Sequence, residues 1–265
     1  MLLAHLGFDE PPAADRAGLF AVHRAYLERV PYEDVAVQLG ESAPLDEAAL
    51  TARVLAGRGG YCFELNTVLA ALLRAVGFRV THHQAVVGGE GPTNHMALLV
   101  HLDGETWLAD AGLGEGFLDP LPLRAGEHSI GPFTYTLTPE PAGTWWMGQH
   151  EWGSVSGFRM APEPSPLAAF QEHHRRLSTD PESAFVRTLV VQRPCPDRIV
   201  TLRSRTLSEV GPALDTRRVL ADAGELAEAL DGFGIRLDGA RLARLWAGAE
   251  AQHEAFVARR APSAA

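Results

Sequence analysis

Apolar residues recur at helical spacing in the first third of the chain. Between residues 13 and 30 they lie three and four positions apart, and the series ends before Pro31. A second series is expected over residues 46–56. A third runs from Cys62 to Val76, where Gly77 can end it. The pattern predicts three helices.

From residue 79 onward the spacing becomes the alternation that is typical of strands. Strands are expected at 79–88, 94–102 and 105–112, and a two-residue hairpin signal, Asp103-Gly104, separates the last two. A helix is expected near residues 166–177, the tail returns to helical spacing, and the last five residues, APSAA, are expected to fray. Further short strands are expected at 133–138, 144–149, 154–160, 185–193 and 198–206. The middle of the chain therefore predicts a small barrel or sandwich.

The predicted hairpin brings two candidate catalytic side chains to one face. With a two-residue turn at 103–104, Ala97 faces Asp110 across the strand pair, and His95 shares that face at a diagonal Cα distance of roughly 7–8 Å. The carboxylate can then hold one imidazole nitrogen and leave the other to take a proton. An ordinary His–Asp contact on an exposed strand pair fits the same pattern, and another turn length would shift the register.

Cys62 follows RGGY at the predicted start of the third helix. Free backbone N–H groups and the helix dipole favour negative charge there, so we expect this thiol to ionise more readily than usual. The thiolate is the nucleophilic form of cysteine, and the preceding glycines allow a substrate to approach the backbone closely. An inert buried cysteine at a helix-to-helix turn is the alternative interpretation.

Composition narrows the classes of function. The net charge is −10, and all 23 basic residues are arginine, which argues against a nucleic-acid partner and excludes lysine chemistry. No apolar run approaches the ~20 residues that span a bilayer, and no basic leader precedes one, so no membrane partner and a cytoplasmic location are expected. The two cysteines do not suggest a disulfide framework, and the 11 histidines lack the spacing of a zinc site, so no metal is expected.

Three segments resemble the arylamine N-acetyltransferase family. RGGYCFELN, residues 58–66, is similar to its signature RGGxCxExN, Thr93-Asn94-His95 to its histidine segment, and WLADAGLG, residues 107–114, to its aspartate segment. Two further segments, VPYEDVAVQLG at residues 30–40 and the stretch 177–193, extend the resemblance over most of residues 15–200.

The resemblance implies an α+β fold with a cysteine-protease-like core. Its three parts would be a helical bundle with the catalytic cysteine (1–84), a β-barrel with the catalytic histidine and aspartate (85–200), and an α/β lid (201–265). It also implies a catalytic triad of Cys62, His95 and Asp110. The substrate-binding residues that it implies are Tyr32, Asn94, Leu113, Gly114 and Phe185.

The family transfers acetyl from acetyl-CoA, or another acyl thioester, to the cysteine and then to an aromatic amine or hydrazine by a ping-pong route without a metal. Backbone N–H groups of Cys62 and Asn94 are expected to stabilise the oxyanion. The partners implied are therefore acyl-CoA and a small aromatic amine, with the oligomeric state left open.

Several departures from the family's sequence leave the donor and acceptor open. Tyr32 and Asp34 stand where the family's segment has Phe and Asn, Leu113 replaces Phe, and His174-Arg175-Arg176 replaces Asn-Trp-Tyr. One alternative is an ansamycin-type amide synthase, which closes a macrolactam from a polyketide on an acyl carrier protein. Others are a Cys-His-Asp hydrolase, which uses water as acceptor, and a noncatalytic binding module.

Overall fold

The computed structural model describes residues 1–260, so the predicted fraying of residues 261–265 lies outside the described range. Two short 3₁₀-helices occur at Pro141–Gly143 and Leu167–Phe170. The α-helices in the described range are α1 (Leu2–His5), α2 (Arg16–Arg29), α3 (Val35–Gln38), α4 (Glu47–Leu55), α5 (Cys62–Val76), α6 (Gln171–Thr179), α7 (Ala184–Arg187), α8 (Ala223–Gly232) and α9 (Gly239–Arg260).

The first three predicted helices are confirmed as α2, α4 and α5, and their ends have clear causes. Asp15 Oδ1 accepts a 2.8 Å hydrogen bond from the Gly18 N–H, and Asp46 Oδ1 accepts one of 2.8 Å from the Ala49 N–H, so each aspartate caps its helix. Helix α5 is terminated by Gly77, whose φ of 118° lies in a region that glycine adopts more readily than other residues. The helices α1 and α3 were not predicted, because four residues are too few to show a helical period.

The strands form two antiparallel sheets. They are β1 (Tyr32–Glu33), β2 (Arg79–Val87), β3 (His95–Leu102), β4 (Glu105–Leu108), β5 (Leu121–Pro122), β6 (Gly126–Ile130), β7 (Phe133–Pro139), β8 (Trp145–Gly148), β9 (Gly157–Pro164), β10 (Val190–Pro194), β11 (Ile199–Arg203), β12 (Thr206–Gly211) and β13 (Leu214–Val219). Eight strands form a barrel-like sheet in the order β5-β4-β3-β2-β9-β8-β7-β6, as the strand pattern predicted.

The predicted hairpin register is confirmed between β3 and β4. Leu102 pairs with Glu105 and Leu99 with Leu108, while the turn residue Gly104 has a φ of 81°. The Ala109 N–H continues the ladder by donating to the Leu98 carbonyl at 3.0 Å. The chain therefore enters the segment that carries Asp110 in the expected phase.

The second sheet differs from the prediction. Its order is β1-β10-β11-β12-β13, so β10, which the boundary at residue 200 assigned to the barrel, pairs outside it. The expected strand at 185–193 begins instead with α7, where the Ser183 hydroxyl accepts from the Phe185 N–H at 3.3 Å, and only its second half is extended. Strands β12 and β13 continue beyond the strand expected at 198–206. The three-part division of the chain stays a prediction.

Three clusters of buried apolar residues lie behind the two sheets. The helical cluster includes Tyr26, Phe63 and Leu69, and the barrel cluster includes Phe117 and Phe158. The third packs α8 and α9 against the second sheet through Leu202, Leu226 and Leu245. The candidate catalytic residues belong to segments that line the helical cluster and the barrel cluster. Their side chains therefore lie where these two clusters meet. Within residues 1–260, no helix has the length and apolar character needed to cross a bilayer.

Candidate active site

Cys62 is the first residue of α5 and is almost fully buried, with 2% of its surface exposed. Its Sγ lies 3.5 Å from the carbonyl oxygen of Asn94, the residue before His95. Two buried ion pairs hold the loop that leads to it. Arg53 contacts Glu64 at 2.7 Å, and Arg58 contacts Glu33 at 2.9 Å.

His95 and Asp110 meet as the hairpin register predicted. The Nε2 atom of His95 lies 2.6 Å from Oδ2 of Asp110, and each side chain is 1% exposed or less. Because Asp110 engages Nε2, Nδ1 is the ring nitrogen left to exchange a proton with another group. The pair has the geometry of a base and the carboxylate that orients it.

Asn66 supports the carboxylate from α5 and had no role assigned from the sequence. Its Nδ2 donates to Asp110 Oδ1 at 2.7 Å and to the Met96 carbonyl at 2.6 Å, while its Oδ1 accepts from the Ala111 N–H at 2.9 Å. The Gly112 N–H also donates to Asp110 Oδ1, at 2.6 Å. The asparagine that closes the signature RGGxCxExN was the available signal, since one turn of helix separates it from Cys62.

Gly112 lies where side chains of helix α5 and strand β3 meet. A Cβ atom on this residue would lie 2.8 Å from Cys62 Cβ, 2.8 Å from His95 Cε1 and 2.8 Å from Asn66 Nδ2. No side chain larger than hydrogen fits without displacing one of these groups. Cys62 and His95 therefore border the same small space, and a glycine permits that approach.

The charges of the site are set by burial and by hydrogen bonds. Burial alone would raise the pKa of Asp110, but the charge of His95 and the hydrogen bonds from His95, Asn66 and Gly112 outweigh it, so the pKa lies below its ordinary value. Asp110 is therefore ionised at neutral pH. This favours a proton on the neighbouring imidazole when the cysteine releases one.

Burial outweighs the effect that the helix start was expected to have on the acidity of Cys62. Burial raises the pKa of Cys62, and the negative charge of Asp110 raises it further. The backbone N–H groups of Phe63 and Met96 lower the pKa, but less than burial raises it. Because the thiol loses its hydration shell, its ionisation needs a specific proton acceptor.

The residues expected to bind substrate fall into two groups. Tyr32 and Gly114 are adjacent, since a Cβ on Gly114 would lie 2.7 Å from Tyr32 Cδ1, and Leu113 is buried in the barrel cluster. The Asn94 side chain is instead tied to its own hairpin, where Oδ1 accepts from the Val87 N–H at 2.7 Å. The ring of Phe185 packs on that of Tyr61, the residue before Cys62, with centroids 4.6 Å apart.

The backbone of Asn94 also differs from expectation. Its N–H, expected as a second oxyanion donor, is a ladder donor to the Ala85 carbonyl at 3.2 Å and is not free for a substrate. The Cys62 N–H lies at the first position of α5, where the helix supplies no acceptor. No group of three or more potential metal ligands lies together in residues 1–260.

A family model described as N-acetyltransferase matches residues 17–242. The chain belongs to the arylamine N-acetyltransferase family. It is an acyltransferase of that family, and its match covers the segments that carry Cys62, His95 and Asp110.

Named relatives agree with the family model. The arylamine N-acetyltransferase of Escherichia coli is 29% identical over 256 residues, which cover 90% of this chain and 89% of the relative. The arylamine N-acetyltransferase / N-hydroxyarylamine O-acetyltransferase of Salmonella typhimurium is 34% identical over 197 residues, 68% of this chain and 66% of the relative.

The crystal structure of the Nocardia farcinica arylamine N-acetyltransferase superposes with a TM-score of 0.83 at 31% identity, covering 92% of each chain. The arylamine N-acetyltransferase fold with its cysteine-protease-like core, which the sequence resemblance implied, is thereby confirmed.

Proposed function

We propose that this arylamine N-acetyltransferase homologue transfers an acetyl group from acetyl-CoA to the nitrogen of an aromatic amine or hydrazine through a thioester on Cys62. The observation that carries the proposal is the buried His95–Asp110 pair, with 2.6 Å between Nε2 and Oδ2, at the same small space as the cysteine. In this reading Cys62 is the nucleophile, His95 the general base and acid, and Asp110 the residue that orients the imidazole.

The first half-reaction loads the enzyme. His95 Nδ1 takes the Sγ proton as the thiolate attacks the acetyl carbonyl carbon, and the negative oxygen of the tetrahedral intermediate accepts from the Cys62 N–H. The bond from that carbon to the CoA sulfur then breaks, and the leaving thiolate receives the proton from His95. The raised pKa of Cys62 supports a transfer coupled to His95 over free ionisation of the thiol.

The second half-reaction transfers the acetyl group to nitrogen. The lone pair of the amine attacks the thioester carbon, His95 removes a proton from the amine, and the bond from carbon to Sγ breaks. The proton on His95 returns to Cys62 Sγ, which restores the starting enzyme. Because CoA leaves before the amine reacts, ping-pong kinetics are expected.

The test is intact-protein mass spectrometry after incubation with acetyl-CoA. We expect one added acetyl group, which an aromatic amine then removes as the N-acetyl product appears. Cys62→Ala should abolish the adduct, and Cys195→Ala, which changes the second cysteine of the chain, is the matched control and should retain it. An adduct that survives Cys62→Ala, or none on the unmodified protein, would contradict the proposal.

The finer assignments of partner and location stay predictions. The cytoplasmic location rests on the sequence, as does the proposed pairing of acyl-CoA with a small aromatic amine. The macrolactam-forming alternative with an acyl carrier protein and the hydrolase alternative also stay predictions. The mass experiment separates the hydrolase, because a hydrolase would lose its acetyl group to water at the same rate with and without amine.

A further inference from the structure

Two polar side chains on neighbouring strands face the loop that follows the catalytic aspartate. Tyr32 in β1 lies directly opposite Gln192 in β10, so both side chains point to the same side of the sheet. Both also touch Gly114, where a Cβ would lie 2.7 Å from Tyr32 Cδ1 and 2.6 Å from Gln192 Oε1. Glycine at this position lets the two side chains approach the loop.

This pair lies next to the catalytic cysteine. Tyr32 forms a parallel bridge with Gly60, two residues before Cys62. Gly114 is two residues after Gly112, where an added Cβ would lie 2.8 Å from both Cys62 Cβ and His95 Cε1. Burial raises the pKa of Tyr32 well above its usual value, and negative charge at Cys62 raises it further. The hydroxyl is therefore protonated at any physiological pH and can donate a hydrogen bond.

The Tyr32 hydroxyl is unused by the protein, unlike two other tyrosine hydroxyls of the same region. The Tyr26 hydroxyl donates to the Leu65 carbonyl at 3.1 Å, and the Tyr61 hydroxyl bonds to His174 Nδ1 at 2.5 Å. Within residues 1–260 the Tyr32 hydroxyl has no such partner, and its partly buried side chain packs against the helical cluster. The family segment carries phenylalanine at this position, so the hydroxyl is not needed to pack the ring.

Gln192 complements that donor with an acceptor. Its Nε2 donates to Glu115 Oε2 at 3.2 Å and to Thr201 Oγ1 at 3.3 Å, which fixes the orientation of the amide. Its Oε1 is thereby turned toward Gly114 and has no donor within the described part of the chain. The oriented acceptor and the unpaired donor therefore belong to two side chains that lie opposite each other on neighbouring strands.

We propose that Tyr32 and Gln192 form a polar subsite for a hydroxyl substituent on the aromatic acceptor, which makes aminophenols the preferred substrate class. A phenolic hydroxyl can accept from Tyr32 Oη and donate to Gln192 Oε1 at once. A methyl group of similar size can do neither, so it would displace water from both polar atoms without replacing the hydrogen bonds of that water. The inference rests on the proposed acetyl transfer and adds the identity of the acceptor to it.

The test compares aminophenol with toluidine as acceptors, in the meta and para series, with acetyl-CoA as donor. The measured quantity is the ratio of kcat/KM for the two amines, divided by the same ratio after substitution, so the intrinsic nucleophilicity of each amine cancels. Tyr32→Phe should lower the preference for the aminophenol about three- to tenfold in at least one series. Gln192→Met, which keeps the length of the side chain, should change it in the same direction.

Tyr26→Phe is the matched control, because it removes a hydroxyl that the fold itself uses, and the preference should then keep its original value. An unchanged preference in both Tyr32→Phe and Gln192→Met, with acetyl transfer intact in the unmodified enzyme, overturns the subsite alone. Absence of acetyl transfer to every amine by the unmodified enzyme overturns the proposed function and the subsite with it.

Discussion

The proposed catalytic triad and the proposed Tyr32–Gln192 subsite are neighbouring regions whose polar atoms are hydrogen-bonded to different extents. Asp110 receives hydrogen bonds from His95, Asn66 and Gly112, so both of its oxygens are engaged. In the subsite, by contrast, Tyr32 Oη has no acceptor and Gln192 Oε1 has no donor within the described part of the chain. We expect the first, closed region to support the proposed acetyl transfer, and the second, open region to distinguish one acceptor from another.

The largest effect is expected when the negative charge of Asp110 is removed from the closed region. Asp110→Asn should lower kcat/KM about 10⁴-fold, because an amide cannot hold the imidazole in the required tautomer and its NH₂ opposes the donors that surround it. Steady-state kinetics and the rate of acetyl-enzyme formation measure the loss.

Asp119→Asn is the control for that change. Asp119 lies further along the same segment, where it pairs with Arg24 at 2.6 Å, so it reports on the segment without touching the triad. Comparable losses in the two variants would mean that segment stability, and not the orientation of His95, explains the effect of Asp110.

A smaller effect is expected where the two rigid cores meet. Gly112→Ala adds a Cβ that must move Cys62, His95 or Asn66 by a few tenths of an ångström or more, and such misplacement lowers kcat about 10²-fold. Gly248→Ala is the control, since a Cβ at that helical position meets nothing within 4 Å. Equal activity of Gly112→Ala and the unmodified enzyme would contradict the close approach.

The open region should give the smallest effect and the most selective one. For Tyr32→Phe we expect only a three- to tenfold change in the ratio of kcat/KM for aminophenol and toluidine. The overall acetyl transfer should remain. If Tyr32→Phe behaved like Asp110→Asn and abolished transfer of every amine, the hydroxyl would belong to the closed region. The distinction between the two regions would then be wrong.

The sequence could predict contacts between residues that are close in the chain, but not contacts between distant residues. The Asp103-Gly104 turn determines the β3–β4 register by itself, so the His95–Asp110 contact was predictable. Tyr32 precedes the barrel strands in the sequence and Gln192 follows them, so no local pattern predicts that these two residues pair. The pKa of Cys62 depends on burial, which no local pattern gives, so the sequence indicated the effect of the helix start but not the burial that outweighs it.

Strand and helix assignments failed for a similar reason. The run 185–193 is apolar and β-branched, so its composition favours a strand. The Ser183 cap nevertheless starts a helical turn at Ala184, and Val190 is the first residue to join the sheet. Tertiary contacts with α3 and α6 decide this segment, and a single sequence does not contain them.

The central claim is that His95 makes the buried Cys62 thiol reactive, and the pH dependence of its alkylation tests that claim most directly. Peptide mass spectrometry can follow iodoacetamide modification of Cys62, with Cys195 as the reference thiol in the same chain. In the unmodified enzyme Cys62 should react at neutral pH, because His95 can accept the Sγ proton as the thiol reacts. In His95→Gln the raised pKa of Cys62 should govern, so its rate at neutral pH should fall about 10²-fold and keep increasing above pH ~8.5, the ordinary value of a cysteine. Identical profiles for Cys62 in the two proteins would contradict the account.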